Sequence, residues 1–341
     1  MSTVPSSGGL PGIACNDSVK LPQWATHQLK SPIVTSLIPA LYVLVFVIGF
    51  PTNALALWTM AAKKKKPSTI CLINLAVADL LLVLVLPFKI HYRLQGNNWV
   101  FGEALCRTMT AFFYGNMYCS ILLLTFISVD RYFALVHPFY SRRFRDNRFA
   151  VIVCAVIWVV VICFVFPFFL LKQSFHIQTA NIITCHDVYL NKTKDVYFYY
   201  WQSVVIVGFI IPSFITVLCY CLVIRTLLLS KREYRKAVII TILTLTMYLV
   251  CFSPSNISLL LHQWLPELYI HYLYLLPFSS FNNCVDPIIY YFISEEWRTK
   301  VKAIFCSHKH GTKNRNSYSI SVLWLTRMVS SRSSTTNLSS E

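Results

Sequence analysis

The chain has 341 residues, 56% of them hydrophobic and only 13% charged, with a mean hydropathy of +0.58. A soluble domain carries about a quarter charged residues, which excludes a soluble single-core enzyme, a coiled coil and a disordered chain; nine glycines amid long apolar runs also exclude a membrane β-barrel of alternating strands. The net charge of +17 sits in short basic segments beside the apolar runs, where it orients a membrane protein and offers no face for nucleic acid.

Residues 1–33 are rich in Ser, Pro and Gly, show no helical period, and lack the charged and apolar regions of a cleavable signal peptide, so they read as an extracellular N-terminal segment. Seven apolar segments follow, at 34–62, 69–94, 103–137, 149–171, 198–229, 236–264 and 268–293, each long enough to span a bilayer. The predicted fold is therefore an all-α membrane protein, a seven-transmembrane helix bundle over 34–293. Pro51, Pro87, Pro167, Pro212, Pro254 and Pro287 fall inside spans, where neighbouring groups can satisfy the freed carbonyls and each proline marks a kink. Most cysteines also fall inside spans and pack there as small hydrophobes.

Loops after the first, third and fifth spans hold twelve basic residues (Lys63 to Lys66; Arg142, Arg143, Arg145 and Arg148; Lys231, Arg232, Arg235 and Lys236). The opposite loops hold three, Lys172, Lys192 and Lys194. The basic set is cytosolic, so the N-terminus lies outside and the C-terminus inside, in the orientation expected at the plasma membrane. On that topology Asn16 and Asn191 are outer glycosylation acceptors, whereas the sequons at Asn256 and Asn337 fall in a span and in the cytosol. Residues 294–306 read as a short amphipathic helix on the inner interface, with Trp297, Val301, Ile304 and Phe305 on one face and Cys306 as a palmitoylation candidate. The Ser-rich, basic segment 307–341 reads as a disordered cytoplasmic tail.

Ionisable groups at membrane depth are costly, so each is a functional hypothesis. Asp79 lies mid-span, with Asn53, Ser120, Asn282, Asn283 and Asp286 at similar depth. Such oxygens around one carboxylate suit a hard cation such as Na⁺; the alternative is a carboxylic acid kept neutral by burial. At the inner end of the third span stands Asp130-Arg131-Tyr132. Arg131 either snorkels to the interface or pairs with Asp130 until a cytosolic partner releases it.

These motifs, in order, resemble the rhodopsin-type (class A) G-protein-coupled receptors: Gly49-Phe50-Pro51-Thr52-Asn53, Leu75-Ala76-Val77-Ala78-Asp79, Asp130-Arg131-Tyr132, Trp158, Pro212, Cys251-Phe252-Ser253-Pro254 and Asp286-Pro287-Ile288-Ile289-Tyr290. The resemblance covers residues 34 to 306. It implies a sodium pocket at Asp79, Ser120, Asn282 and Asp286. It also implies a switch toward a heterotrimeric G protein at Asp130, Arg131, Tyr132, Tyr290, Phe252 and Pro254. Phe252 and Asp286 depart from the usual Trp and Asn, as in a subset of receptors for peptides, lipids and nucleotides.

Cys185-His186-Asp187-Val188, Gly96-Asn97-Asn98-Trp99 and Phe113-Tyr114-Gly115-Asn116-Met117-Tyr118 resemble the proteinase-activated receptors, nearest the fourth or third member. Cys185 needs an outer partner, and Cys106 at the start of the third span is the natural one. The resemblance implies a serine protease, thrombin or trypsin-like, that cuts the N-terminal extension and frees a tethered peptide ligand. Tethering gives an effective concentration near millimolar, so a weak peptide suffices. His186 and Asp187 are candidates to bind its ammonium group, the alternative being a local turn capped by Asp187. Tyr114, Tyr269 and Tyr272 line the ligand mouth or form an interfacial aromatic belt.

Further implied partners are a receptor kinase and arrestin at the Ser-rich tail, membrane lipids, and G proteins of the Gq and G12/13 classes, acting through calcium and Rho in a coagulation or platelet response. No nucleic acid, no catalytic residues and no cofactor beyond Na⁺ are expected. One feature departs from the family. Residues 1–33 hold no Arg, only Lys20 and Lys30, and Gly8 stands where an Arg is expected before Gly9-Leu10-Pro11-Gly12. Either the N-terminus is incomplete, or cleavage follows Lys20, or a different protease acts. Competing readings are a receptor for a diffusible ligand, a non-signalling cofactor receptor, a transporter and a membrane enzyme. The last two lack an internal repeat and a metal or nucleophile motif.

Overall fold

A computed structural model describes residues 10–15, 18–61, 66–137, 146–190, 194–229, 235–265, 268–293 and 297–299. The glycosylation candidates Asn16 and Asn191, the palmitoylation candidate Cys306, the tail and most basic inner-loop residues lie outside these.

The N-terminal segment is described from Leu10 onward, except for residues 16 and 17. It forms strands β1 (Leu10–Cys15) and β2 (Ser18–Lys20) and a short helix α1 (Gln23–Leu29). A π-turn at Ile33–Leu37 then leads into α2 (Ile38–Ala61). Next come α3 (Pro67–Leu94), α4 (Gly102–Val136) and α5 (Asn147–Leu170). The second outer loop carries β3 (Ser174–Ile177), β4 (Ile182–Cys185) and β5 (Val188–Leu190). The fifth span is α6 (Lys194–Val205), a π-turn at Ile206–Ile210, and α7 (Ile211–Leu229). The sixth is α8 (Arg235–Trp264). The seventh is two helices meeting at Phe281, α9 (Tyr269–Ser280) and α10 (Asn282–Ile293).

Six helices among the described residues are long and apolar enough to cross a membrane; the divided seventh span completes the bundle. Helix α5 shows how the pattern works. Its buried residues, Ala150, Cys154, Ile157, Val161 and Phe168, form one stripe. Val151, Ile152, Val156, Val159, Ile162 and Phe166 are exposed, as suits a surface solvated by lipid. Helix α4, 35 residues long, packs against α3, α5 and α7 and buries Asn116, Ser120, Thr125 and Ser128. Buried polar contacts tie the layers together. The Trp158 indole N–H donates to Asn74 Oδ1 at 2.9 Å, and the Asn53 amide to the Asn283 carbonyl at 2.8 Å. Asn256 is buried and donates to the Phe252 carbonyl at 2.9 Å, as expected for an unused sequon.

The strands form one five-stranded sheet in the order β4-β3-β2-β1-β5. The loop hairpin β3–β4 is antiparallel, and the N-terminal strands lie between it and β5, with Val19 opposite Ile177 and Leu10 opposite Val188. The Cys106–Cys185 disulfide pins the sheet to the head of α4, as anticipated. Glu103 adds to that anchor by accepting hydrogen bonds from the Gln173 and Ser174 amides, both at 2.8 Å. Residues 297–299 are helical, but Trp297 turns inward: it is buried, and its indole donates to the Pro287 carbonyl at 2.9 Å.

Candidate functional site

Beneath the outer sheet lies a cavity between α3, α4 and α9, closed by residues 185–187 of the loop. His186 adopts a left-handed backbone (φ 64°) between the disulfide and Asp187, a conformation that side-chain-bearing residues adopt mainly where surrounding structure over-determines it. The disulfide supplies that constraint, and the turn aims His186 and Asp187 into the bundle.

Asp187 is 3% exposed. Arg93 grips it with both guanidinium ends, at 3.1 and 3.0 Å, while the Tyr92 and Tyr269 hydroxyls donate at 2.6 and 2.9 Å. Burial raises the Asp187 carboxyl, but Arg93 and the hydrogen bonds from Tyr92, Arg93 and Tyr269 outweigh it and hold the group below the usual carboxylate range. Arg93 also donates to Asn97 Oδ1 at 2.8 Å, and the Asn97 amide reaches the Leu29 carbonyl, which links the N-terminal helix to the cluster. His186 shares hydrogen bonds with Gln173 Oε1 at 2.8 Å and Tyr114 Oη at 3.2 Å, and Tyr114 meets the Tyr272 hydroxyl. Desolvation pushes the His186 imidazole down to about 4, against the raising effect of Asp187 and helped by Lys89 and Arg93. At neutral pH this histidine is an uncharged hydrogen-bonding group.

The structure therefore brings all five ligand-mouth candidates, His186, Asp187, Tyr114, Tyr269 and Tyr272, into one cluster. Asp187 does not cap a local turn, and both its oxygens are already engaged. Lys89, Tyr92 and Arg93 were missed by sequence reasoning. Two cations four residues apart in an apolar span were a legible signal, masked by their nearness to the outer end.

Deeper in the bundle, Asp79 is fully buried; Asn116 donates to its Oδ1 at 3.0 Å and Tyr290 to its Oδ2 at 3.2 Å. The Tyr290 hydroxyl also lies 3.1 Å from Asn53 Oδ1. Asp286 hydrogen-bonds to Asp79 and accepts from the Asn282 amide at 3.1 Å. Ser120 Oγ, Asn282 Oδ1 and Asn283 Oδ1 are buried without a hydrogen-bond partner. Orphaned acceptors around a carboxylate are an oxygen set that fits a hard cation. Residues expected for the sodium pocket and for the inner switch thus meet at one hydroxyl, that of Tyr290. Phe252 is fully buried with its ring edge-on to Tyr248, and Pro254 lies inside α8. Asp130, Arg131 and Tyr132 are half-buried at the inner end of α4, where Tyr132 Oη lies 3.0 Å from His137 Nε2.

The description "7 transmembrane receptor (rhodopsin family)" matches residues 52–290. Among curated relatives, proteinase-activated receptor 3 of Bos taurus is 42% identical over 275 residues, covering 78% of this chain and 73% of its own. Proteinase-activated receptor 2 of Mus musculus is 38% identical over 339 residues, covering 95% and 84%. Proteinase-activated receptor 4 of Homo sapiens is 41% identical over 316 residues, covering 89% and 81%. Identities this even do not single out one member. With these similarities and a disulfide-pinned outer loop over a seven-span bundle, the chain is a multi-pass membrane receptor, not an enzyme, and belongs to the proteinase-activated receptor family of rhodopsin-type receptors.

Proposed function

We propose that proteolysis of the N-terminal segment exposes a peptide end that enters the cavity at Asp187 and switches the receptor toward a heterotrimeric G protein. The observation that carries this reading is the position of the N-terminal strand: Leu10 pairs with Val188, the residue after Asp187. A new end formed in this stretch begins beside the loop it must enter, so the search is short and a weak ligand suffices.

A carboxylate offers about four lone-pair sites, and Arg93, Tyr92 and Tyr269 together make four hydrogen bonds to Asp187. An incoming ammonium must displace one of them. Binding therefore opens a network shared by α3, the loop and α9, and this gives the agonist a different affinity for two arrangements of the bundle, as any switch requires. Na⁺ held by Asp79, Ser120, Asn282 and Asn283 would supply a counter-charge that favours the resting arrangement. Asp286, which hydrogen-bonds to Asp79, adds a second carboxyl group to that site.

The test is calcium release in cells expressing the full chain, on adding thrombin or trypsin and then a synthetic peptide beginning at the cleaved end. Lys20 is exposed at the end of β2, so Lys20→Gln separates cleavage there from cleavage elsewhere. Response to both protease and peptide supports the reading. Silence to both, with surface expression intact, overturns it in favour of a diffusible agonist or a cofactor role.

A further inference from the structure

The charges around the cavity do not balance. Lys89 and Arg93 both line it, and Asp187 is the only carboxylate among the lining residues. Arg93 uses that carboxylate fully. Lys89 is 8% exposed, and among the described residues no hydrogen bond or ion pair reaches its ammonium. Its partners are aromatic faces: Nζ stands 3.2 Å from the Phe113 ring centre and 5.3 Å from that of Tyr42. Ring faces attract a cation, but they do not replace the hydration it has lost.

Two further polar atoms, on residues that line this cavity, are also orphaned. Arg93 Nε and Thr110 Oγ1 are buried without a partner. Lys89 and Arg93 lie one turn apart on α3, and Thr110 lies one turn before Phe113, the ring under Lys89, on α4, so the three residues line the cavity from neighbouring helix faces. Each is a donor, and each lacks an acceptor. The rest of the nearby wall, including Met109, Leu273 and Leu276, is apolar.

We propose that this corner, formed by Lys89, Thr110 and Arg93 Nε, is an anion subsite that takes a carboxylate carried on an apolar body. It rests on the function proposed above only in treating the cavity as the agonist site; the unmatched cation stands independently. The carboxylate has two possible sources, an acidic side chain of a peptide agonist or a free carboxylic acid, and both present the same group to Lys89.

The first arm of the test uses full-length receptor in nanodiscs and follows thermal unfolding with sodium phenylacetate or its neutral isostere phenylacetamide, ionic strength being fixed with sodium chloride. Phenylacetate should raise Tm with concentration and phenylacetamide should not; Lys89→Met should lose the rise and Lys89→Arg should keep it. The second arm compares agonist peptides that differ by Glu or Gln at one position, scanned along the peptide. At one position Glu should be about tenfold more potent than Gln on the wild type, the scale of one charge-assisted contact, and equal to it on Lys89→Met. A response in the first arm identifies a free acid as sufficient; a response in the second alone assigns the carboxylate to the peptide. Acid and amide acting alike, with no position preferring Glu, overturn the subsite. So does either preference surviving Lys89→Met. Should Lys89→Met fail to fold, Lys89→Gln serves in its place, and the wild-type comparisons alone still decide against the subsite if they show no preference. If no peptide activates the receptor while phenylacetate still protects the wild type through Lys89, the tethered-peptide reading fails and the anion subsite stands.

Discussion

Asp187 holds four hydrogen bonds on two oxygens while 3% exposed, so neutralising it strands the Arg93 guanidinium in a dry site. Breaking a buried pair by removing one partner costs about 3–5 kcal/mol. Asp187→Asn should therefore lower Tm as well as agonist potency, and Arg93→Met in the Asp187→Asn background should recover much of the stability but not the potency. Equal Tm for wild type and Asp187→Asn would show the pair contributes nothing. His186 makes a separate prediction. Its imidazole sits at about 4 against an ordinary value near 6.5, so between these pH values the unfolded chain binds more protons, and stability is lost as pH falls from 6.5 toward 4. At pH 5 the penalty is roughly 1–2 kcal/mol. Asp187, held below the usual carboxylate range, contributes stability above that range and loses it only at lower pH. The Tm difference between pH 7 and pH 5 should thus shrink in His186→Gln, and an unchanged difference would place the titration elsewhere.

The fifth span turns on Gly208, in the π-turn between α6 and α7. A Cβ there would lie 2.8 Å from Tyr118 Cδ1 and 3.0 Å from Phe164 Cε2, and the Tyr118 ring is tethered through its hydroxyl to Asn256 Oδ1 at 3.2 Å. Overpacking of this kind costs about 1–3 kcal/mol. Gly208→Ala should lower Tm, while Gly115→Ala, whose Cβ would meet nothing closer than 3.7 Å, should not; equal Tm values would deny the close approach. The spans themselves were legible because twenty or so apolar residues bounded by charge admit one structure in lipid. The outer sheet was not. Leu10–Cys15 and Ser18–Lys20 are too short to show alternation, and they become strands by pairing with the outer loop, β2 with β3 of the hairpin and β1 with β5. The break at Phe281 falls where Ser279, Ser280, Asn282 and Asn283 interrupt the apolar run, a polar signal that reads in the sequence as buried groups within one continuous span.

For the whole molecule, the site was legible in proportion to how far its chemistry depends on single residues. Asp79 stands out in a hydropathy reading as a carboxylate within a span, and Asp187 and the Cys106–Cys185 pair stand out through the outer-loop motif and its resemblance. Their partners Tyr92, Arg93 and Asn116 do not, because what makes them functional is convergence across helices 37 to 95 positions apart. The convergence at Asp79 predicts a long-range effect. A Na⁺ held at Asp79 in the resting arrangement, as proposed, should weaken agonist binding relative to N-methylglucamine. A cation that prefers one state opposes the other by its differential affinity. Asp79→Asn should abolish the effect, and sodium sensitivity that survives the substitution would place the cation at another site.

The reading of Asp187 as the receiver of a newly cut chain end meets its most direct test in one potency comparison. An agonist peptide with a free α-ammonium and its N-acetylated form are assayed on wild type and on Asp187→Asn at matched surface expression. Acetylation should cost at least about tenfold in potency on the wild type, the scale of one charge-assisted hydrogen bond, and little more on Asp187→Asn, since both changes remove the same contact. Free and acetylated peptides of equal potency on the wild type would contradict it.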